Sequence, residues 1–183
     1  MNRAPFVFAL VLAAALGACD EKSPPPLLEG PSPVDSADKF LIGMETVLTS
    51  AGVLRANVTA DTAYLFDNDV RLEMHGVQAT FFTSQGVKDG LLTSRRARYD
   101  QRADSMEAFG DVKLTSLQGD VLTTPYLKYN KATNKISSDS AFTATGPNHD
   151  LTGIGFESDP AMTSITTKHV IRGSGGRIEI PKK

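Results

Sequence analysis

Cysteine is almost missing from this chain and tryptophan is entirely missing: one Cys in 183 residues, at position 19, and no Trp. A lone cysteine excludes an intramolecular disulfide framework, so any folded domain must be held by its core. Histidine is scarce too. His75, His149 and His169 stand far apart, without a Cys partner or an HxxxH spacing, and read as surface or turn residues rather than a metal site. No Gly-x-Ser-x-Gly elbow occurs. Gly173-Ser-Gly-Gly176 lacks the Lys-Ser/Thr of a phosphate loop and reads as a flexible turn. The carboxylates are scattered, with no paired acid–base spacing. Together these gaps argue against an enzyme, including a carbohydrate-active β-sandwich, and no cofactor or metal is expected. Charge of one sign does not dominate either, with 19 Lys+Arg against 21 Asp+Glu. Nucleic acid is therefore not an expected partner, since its binding rests on neutralising phosphates. Long hydrophobic runs are lacking as well. Phe6–Leu16 is an apolar run of 11 residues, too short to cross a ~30 Å hydrocarbon layer as a mature helix.

That run does have the length and flanks of a secretory h-region, with Arg3 and the amino terminus as the positive n-region. It ends in Leu16-Gly17-Ala18-Cys19, which resembles the lipobox of bacterial lipoproteins. The resemblance implies a signal peptide over 1–18 and lipid attachment at the Cys19 thiol and the new amino terminus. Several acyl chains hold a protein on a membrane where one binds only marginally. Losing residues 1–18 removes Arg3 and leaves 18 basic against 21 acidic side chains, a formal charge of −3. Residues 19–35 follow as a tether, because five of the ten prolines lie between positions 20 and 33. Proline fixes φ and donates no backbone hydrogen bond. At ~3.1 Å per residue the segment reaches on the order of 40 Å.

From about Ser36 the pattern turns β-prone. Phe40–Thr49 is apolar, though Ser36–Thr49 leaves helix and strand open. Ser50-Ala51-Gly52 is a turn signal, and Val53–Ala60 alternates. Val70, Leu72 and Met74 share one parity, with Arg71, Glu73 and His75 between them. Met106, Ala108, Val112 and Leu114 do the same around Glu107, Asp111 and Lys113. Period-2 alternation over many short segments signals half-buried strands. A weak repeat of about 30–35 residues runs through the domain. Gly90-Leu-Leu-Thr-Ser with Ala97-Arg-Tyr-Asp100 is echoed by Gly119–Asn130, and more faintly by Leu65-Phe-Asp67 and Asp150–Phe156. A polar turn follows each copy, then a second strand such as Glu73–Val77, Glu107–Val112 or Lys135–Ser138. One domain over 36–173, about 140 residues, suffices for a sizeable core, with 174–183 as a short edge strand or tail.

These motifs resemble the LptC/LptA (OstA-like) group of periplasmic lipopolysaccharide-export proteins. The resemblance is carried by Gly52-Val-Leu-Arg-Ala56, the Gly90 and Gly119 copies, Phe109-Gly-Asp-Val112, Lys135-Ile-Ser-Ser138 and Leu151–Phe156 with Asp159. A single short domain behind an anchor is closer to LptC. The resemblance implies an all-β fold, an open twisted antiparallel β-jellyroll with an apolar groove. It implies lipopolysaccharide as cargo, an LptB/LptF/LptG-type ABC transporter as donor and an LptA-type bridge protein as acceptor. It places the protein on the periplasmic side of the cell inner membrane. Asp20 after Cys19 resembles the residue that retains lipoproteins there, while a lipoprotein signal departs from the transmembrane helix of the best-known members. An outer-membrane structural or assembly lipoprotein acting by strand pairing, without lipid, is the rival reading.

The residues expected to line the groove are Leu72, Met74, Phe81, Met106, Val112, Leu114, Leu127, Tyr129 and Phe142, the alternative for each being a place in a closed core. Terminal strands are expected to carry partners, because an unpaired edge is a template for strand addition. Phe40–Thr49 would face the transporter. Ile165–Ile171 and Arg177–Ile180 would face the bridge protein, with Pro181 stopping the ladder. Arg95-Arg96-Ala-Arg98 reads as a solvated basic strand edge.

Overall fold

The structure is a computed structural model that describes residues 36–147 and 149–174, the side chain of His149 excepted. The expected signal peptide, Cys19, the tether and the Arg177–Ile180 strand with Pro181 lie outside the described residues.

Nine strands follow one another: β1 Lys39–Ser50, β2 Val53–Phe66, β3 Arg71–Phe82, β4 Lys88–Asp100, β5 Ser105–Ser116, β6 Val121–Asn130, β7 Lys135–Gly146, β8 His149–Ser158 and β9 Thr166–Ser174. They form a single antiparallel sheet in sequence order, with β1 and β9 at its edges among the described residues. The open segment at Phe40–Thr49 is strand. Ala51 and Gly52 make the β1–β2 turn with φ of 50° and 77°, the left-handed pair that a two-residue hairpin requires. Val70 falls in the β2–β3 turn rather than in β3. Gly173 and Ser174, expected in a flexible turn, extend β9 opposite Leu151 and Asp150. The sequence repeat maps onto the hairpins: its copies lie on β2, β4, β6 and β8, and the strands that follow them are β3, β5 and β7.

The alternation breaks once in the middle of nearly every strand. In β3 Met74 is buried, and beyond Gly76 the buried positions become Val77, Ala79 and Phe81. In β5 they are Met106 and Ala108, then Val112 and Leu114 beyond Gly110 and Asp111. The ladder registers are interrupted at neighbouring places, between Thr93 and Arg96, Phe109 and Val112, Thr123 and Lys128, and Ser138 and Ala141. One extra residue bends a strand and switches which parity faces inward, as in β3, whereas two extra residues, as in β5 and β7, bend it and keep the parity. Aligned across nine strands, these breaks form a crease that folds the sheet onto itself.

Ring contacts confirm the fold. Phe81 of β3 and Tyr129 of β6 have centroids 4.7 Å apart, whereas strands three places apart in a flat sheet are separated by ~14 Å. One layer therefore consists of the half-strands beside the β1–β2, β3–β4, β5–β6 and β7–β8 connections. The other consists of those beside the β2–β3, β4–β5, β6–β7 and β8–β9 connections. Their inward side chains make one buried apolar cluster.

The outer side of the crease is polar. A Cβ on Gly76 would strike the Asp61 carboxylate, and one on Gly110 would stand 2.9 Å from Arg95 Nε. Arg95 Nε pairs with Asp111 at 2.9 Å, and Lys168 reaches over Gly155 to Asp139. Such exposed pairs contribute roughly 0–1 kcal/mol each, so the bend is set by the backbone. Gly110 has φ of 72°, and a side chain there costs about 1–2 kcal/mol. Gly110→Ala is therefore expected to lose about 1–2 kcal/mol of stability in urea unfolding. A neutral result would show that the crease does not depend on this conformation.

Candidate functional site

The interior between the layers is the site that the expected lining residues define. Met74, Phe81, Met106, Val112, Leu114, Leu127, Tyr129 and Phe142 are all buried there, none more than 2% exposed. Leu72 is partly buried and packs against the same cluster. The chain brings all nine together, from β3, β5, β6 and β7, because the crease turns both halves of each strand inward. In this structure they pack against one another, so the interior is filled by its own side chains. Phe142 meets Phe156 at 5.0 Å between centroids. Tyr129 donates its hydroxyl hydrogen bond to Asn134 Oδ1 at 3.0 Å. Burial first, against the opposing influence of Arg55, pushes its phenol up to about 12, so it stays neutral at any physiological pH.

Other equally buried residues were not singled out by the sequence. Val58, Leu92, Leu122, Ile136 and Phe156 belong to the same cluster. Leu91 and Leu92 are adjacent, and alternation alone does not say which one points inward. Ile136 stands alone among polar neighbours. Ala161, Met162 and Ile165, in the loop after β8, are also buried. Their only sequence signal is a short apolar pair in a polar connection.

Opposite the crease the free ends of the two layers meet along a seam. Thr46–Thr49 of β1 face Leu72, Tyr99 and Lys131 across a cleft of about 250 Å³. Further along, Phe81 meets Tyr129, and Gly90 of β4 meets the carbonyl of Pro160. Among the described residues each backbone hydrogen bond outside the ladders joins positions at the same end of the sheet, some at one end and some at the other. The side-chain ion pairs run within one layer or along the crease. The Phe81–Tyr129 ring contact and the close approach of Gly90 to the Pro160 carbonyl bring the layers together along the seam. Two charges flank it. Lys131 is held protonated above its ordinary value, chiefly by its hydrogen bond to Asp104, at 2.7 Å. The Nε of Arg55, in the β2 bulge opposite Leu48 and Thr49, is buried without a hydrogen-bond partner.

The remaining sequence candidates are dispersed. His75 lies edge-on to Tyr64 at 5.7 Å, and no group of His, Cys, Asp and Glu suited to a metal occurs among the described residues. In the basic stretch Arg95 pairs with Asp111, and Arg98 lies 3.8 Å from Glu73 and near the Phe109 ring. The edge strand β1 exposes Phe40, Leu41, Ile42 and Val47, and β9 exposes Ile171. No helix among the described residues is long and apolar enough to cross a membrane.

A sequential antiparallel sheet, folded once about an apolar interior and with no strand beyond β1 or β9 among the described residues, is an open β-jellyroll. The chain belongs to the LptC-related lipopolysaccharide-assembly family, whose model matches residues 6–174. No curated protein sequence matches it significantly. Among solved structures it is similar to LptH from Pseudomonas aeruginosa, described as the LptA-homologous periplasmic component of the lipopolysaccharide transport device. The two share 16% identity over 62% of this chain and 82% of LptH, with a TM-score of 0.48.

One titration probes the seam. Burial, and secondarily the charge of Asp159, push the Asp89 carboxyl above its ordinary value of 3.8. A raised folded-state pKa means that ionised Asp89 subtracts stability above that pKa. The deficit disappears as pH falls through it to below the unfolded value. Asp89→Asn is expected to raise the melting temperature at pH 7, with the gain fading on acidification toward pH 3.8. A gain independent of pH would rule out this charge as its source.

Proposed function

We propose that this protein is a membrane-anchored periplasmic component of lipopolysaccharide export. It accepts lipopolysaccharide from an inner-membrane ABC transporter of the LptB/LptF/LptG type and passes it to an LptA-type bridge protein. The observation that carries this reading is the apolar interior between the two layers, in a chain of the LptC-related family. Each CH₂ taken out of water gains about 0.8 kcal/mol. Contacts between an acyl chain and Leu, Met and Phe side chains have no preferred register, so a lipid held this way can slide. No bond is made or broken, and the reading assigns no catalytic residue or cofactor.

The edge strands supply the handover. β1, the edge strand among the described residues, exposes Phe40 and Ile42 and would face the transporter. β9, with the chain beyond Ser174, would face the bridge protein. Strand addition at such edges gives affinity through backbone hydrogen bonds. Attachment through Cys19, with Asp20 favouring the inner membrane, would hold the domain within reach of the transporter. The exposed apolar edge of β1 also fits an outer-membrane assembly lipoprotein that pairs strands and carries no lipid.

Photo-crosslinkers at Met106, Leu114 and Phe142 are expected to capture lipopolysaccharide in living cells. Depletion of the protein is expected to leave newly made lipopolysaccharide at the inner membrane. Failure at all three positions, with recovery only in the outer membrane, would favour strand pairing without lipid. For the anchor, Cys19→Ala is expected to abolish incorporation of radiolabelled palmitate, and retained label would place the attachment elsewhere.

A further inference from the structure

The β8–β9 connection does something a surface loop has no need to do. Residues 159–165 bring Ala161, Met162 and Ile165 to 8%, 7% and 8% exposure, and Met162 and Ile165 join the cluster between the layers. Connections normally stay on the surface, where water satisfies their backbone. This one crosses the seam, and its Pro160 carbonyl lies so close to β4 that a Cβ on Gly90 would come within 2.5 Å of it.

Met162 adopts φ of 58°, a left-handed conformation that bulky residues avoid and that marks local strain. The strain is held from within the loop. Asp159 Oδ1 accepts the Thr163 backbone N–H at 2.8 Å, the Met162 N–H bonds the Asp159 carbonyl at 3.0 Å, and the Ser158 hydroxyl donates to the Ser164 carbonyl at 2.8 Å. These bonds make the loop a preformed unit. It meets β4 at Gly90, where Asp89 and Asp159 carry like charges. Behind it lies a polar cleft of about 390 Å³, lined in part by Asn134, Lys135 and Glu157, which gives the loop room to withdraw as a unit.

We propose that Met162 and Ile165 occupy an acyl-chain subsite as an intramolecular stand-in, and that a lipid acyl chain entering at the β4 end of the seam displaces them. This rests on the reading that the interior carries lipid. An unbranched methionine and an isoleucine supply the same chemistry as a short stretch of hydrocarbon chain. Exchange of one for the other keeps the interior filled, while the strain at Met162 and the Asp89–Asp159 repulsion favour release. The subsite takes a flexible hydrocarbon chain, because the space vacated is that of two apolar side chains in the apolar cluster.

The proposal reverses the usual relation between stability and binding. Met162→Gly removes the side chain that fills the subsite and relieves the positive φ. If the loop competes with lipid, apparent affinity is reduced by the fraction of molecules in which the subsite is filled. Binding of fluorescently labelled lipopolysaccharide in detergent, by the full-length mature protein, is expected to tighten by roughly threefold to tenfold in Met162→Gly. Unchanged or weaker binding, with the wild type binding, would overturn the subsite while leaving the transport reading standing. Absence of binding by both proteins would overturn both. Hydrogen exchange on the wild type decides the matter even if the variant fails to fold. The Met162 and Thr163 amides are expected to exchange faster when lipopolysaccharide is bound, and equal or slower exchange would overturn the proposal.

Discussion

Each strand of this sheet must present apolar side chains to the same interior on both sides of a bend, and everything else follows from that constraint. Strict alternation cannot satisfy it, because the two halves of a bent strand need different parities or a locally irregular step. The chain meets it with inserted residues at the same height in successive strands, some at left-handed glycines such as Gly76 and Gly110. The bends align, and nine hairpin-linked strands become two facing layers.

The division of labour between crease and seam follows. The crease is covalent and backbone-defined, and its outer ion pairs are exposed ornaments on a bend that exists without them. The seam is held by contacts between Phe81 and Tyr129, between Gly90 and Pro160, and among aliphatic side chains. Apolar packing is strong in sum and indifferent to register. Such a boundary keeps water out without fixing one partner in one place, as the proposed lipid path would require. The buried Nε of Arg55, left without a hydrogen-bond partner, has a cost that a purely structural core would avoid.

Much of this was legible in the sequence. The hairpin repeat was visible in the Gly90 and Gly119 segments, and the turn at Ala51-Gly52 could be read from residue type alone. All nine proposed lining residues lie inside, because large apolar residues flanked by polar ones have few other places to go. The misses share a cause. Val70 was assigned by parity to a strand that begins after it. Leu92 could not be told from Leu91, and the loop from Asp159 to Ile165 carries no period at all, so its burial was invisible.

The sequence by itself determined that the chain forms half-buried strands separated by polar turns, because alternation and turn chemistry are properties of a few consecutive residues. It also supplied the expectation of a lipid anchor at Cys19, which is a matter of local motif. Only the tertiary structure decided where each strand bends, which distant half-strands face one another, and that Met162 fills the space between them. Those outcomes depend on the alignment of bulges across nine strands and on contacts between residues many strands apart. No local window of sequence contains that information.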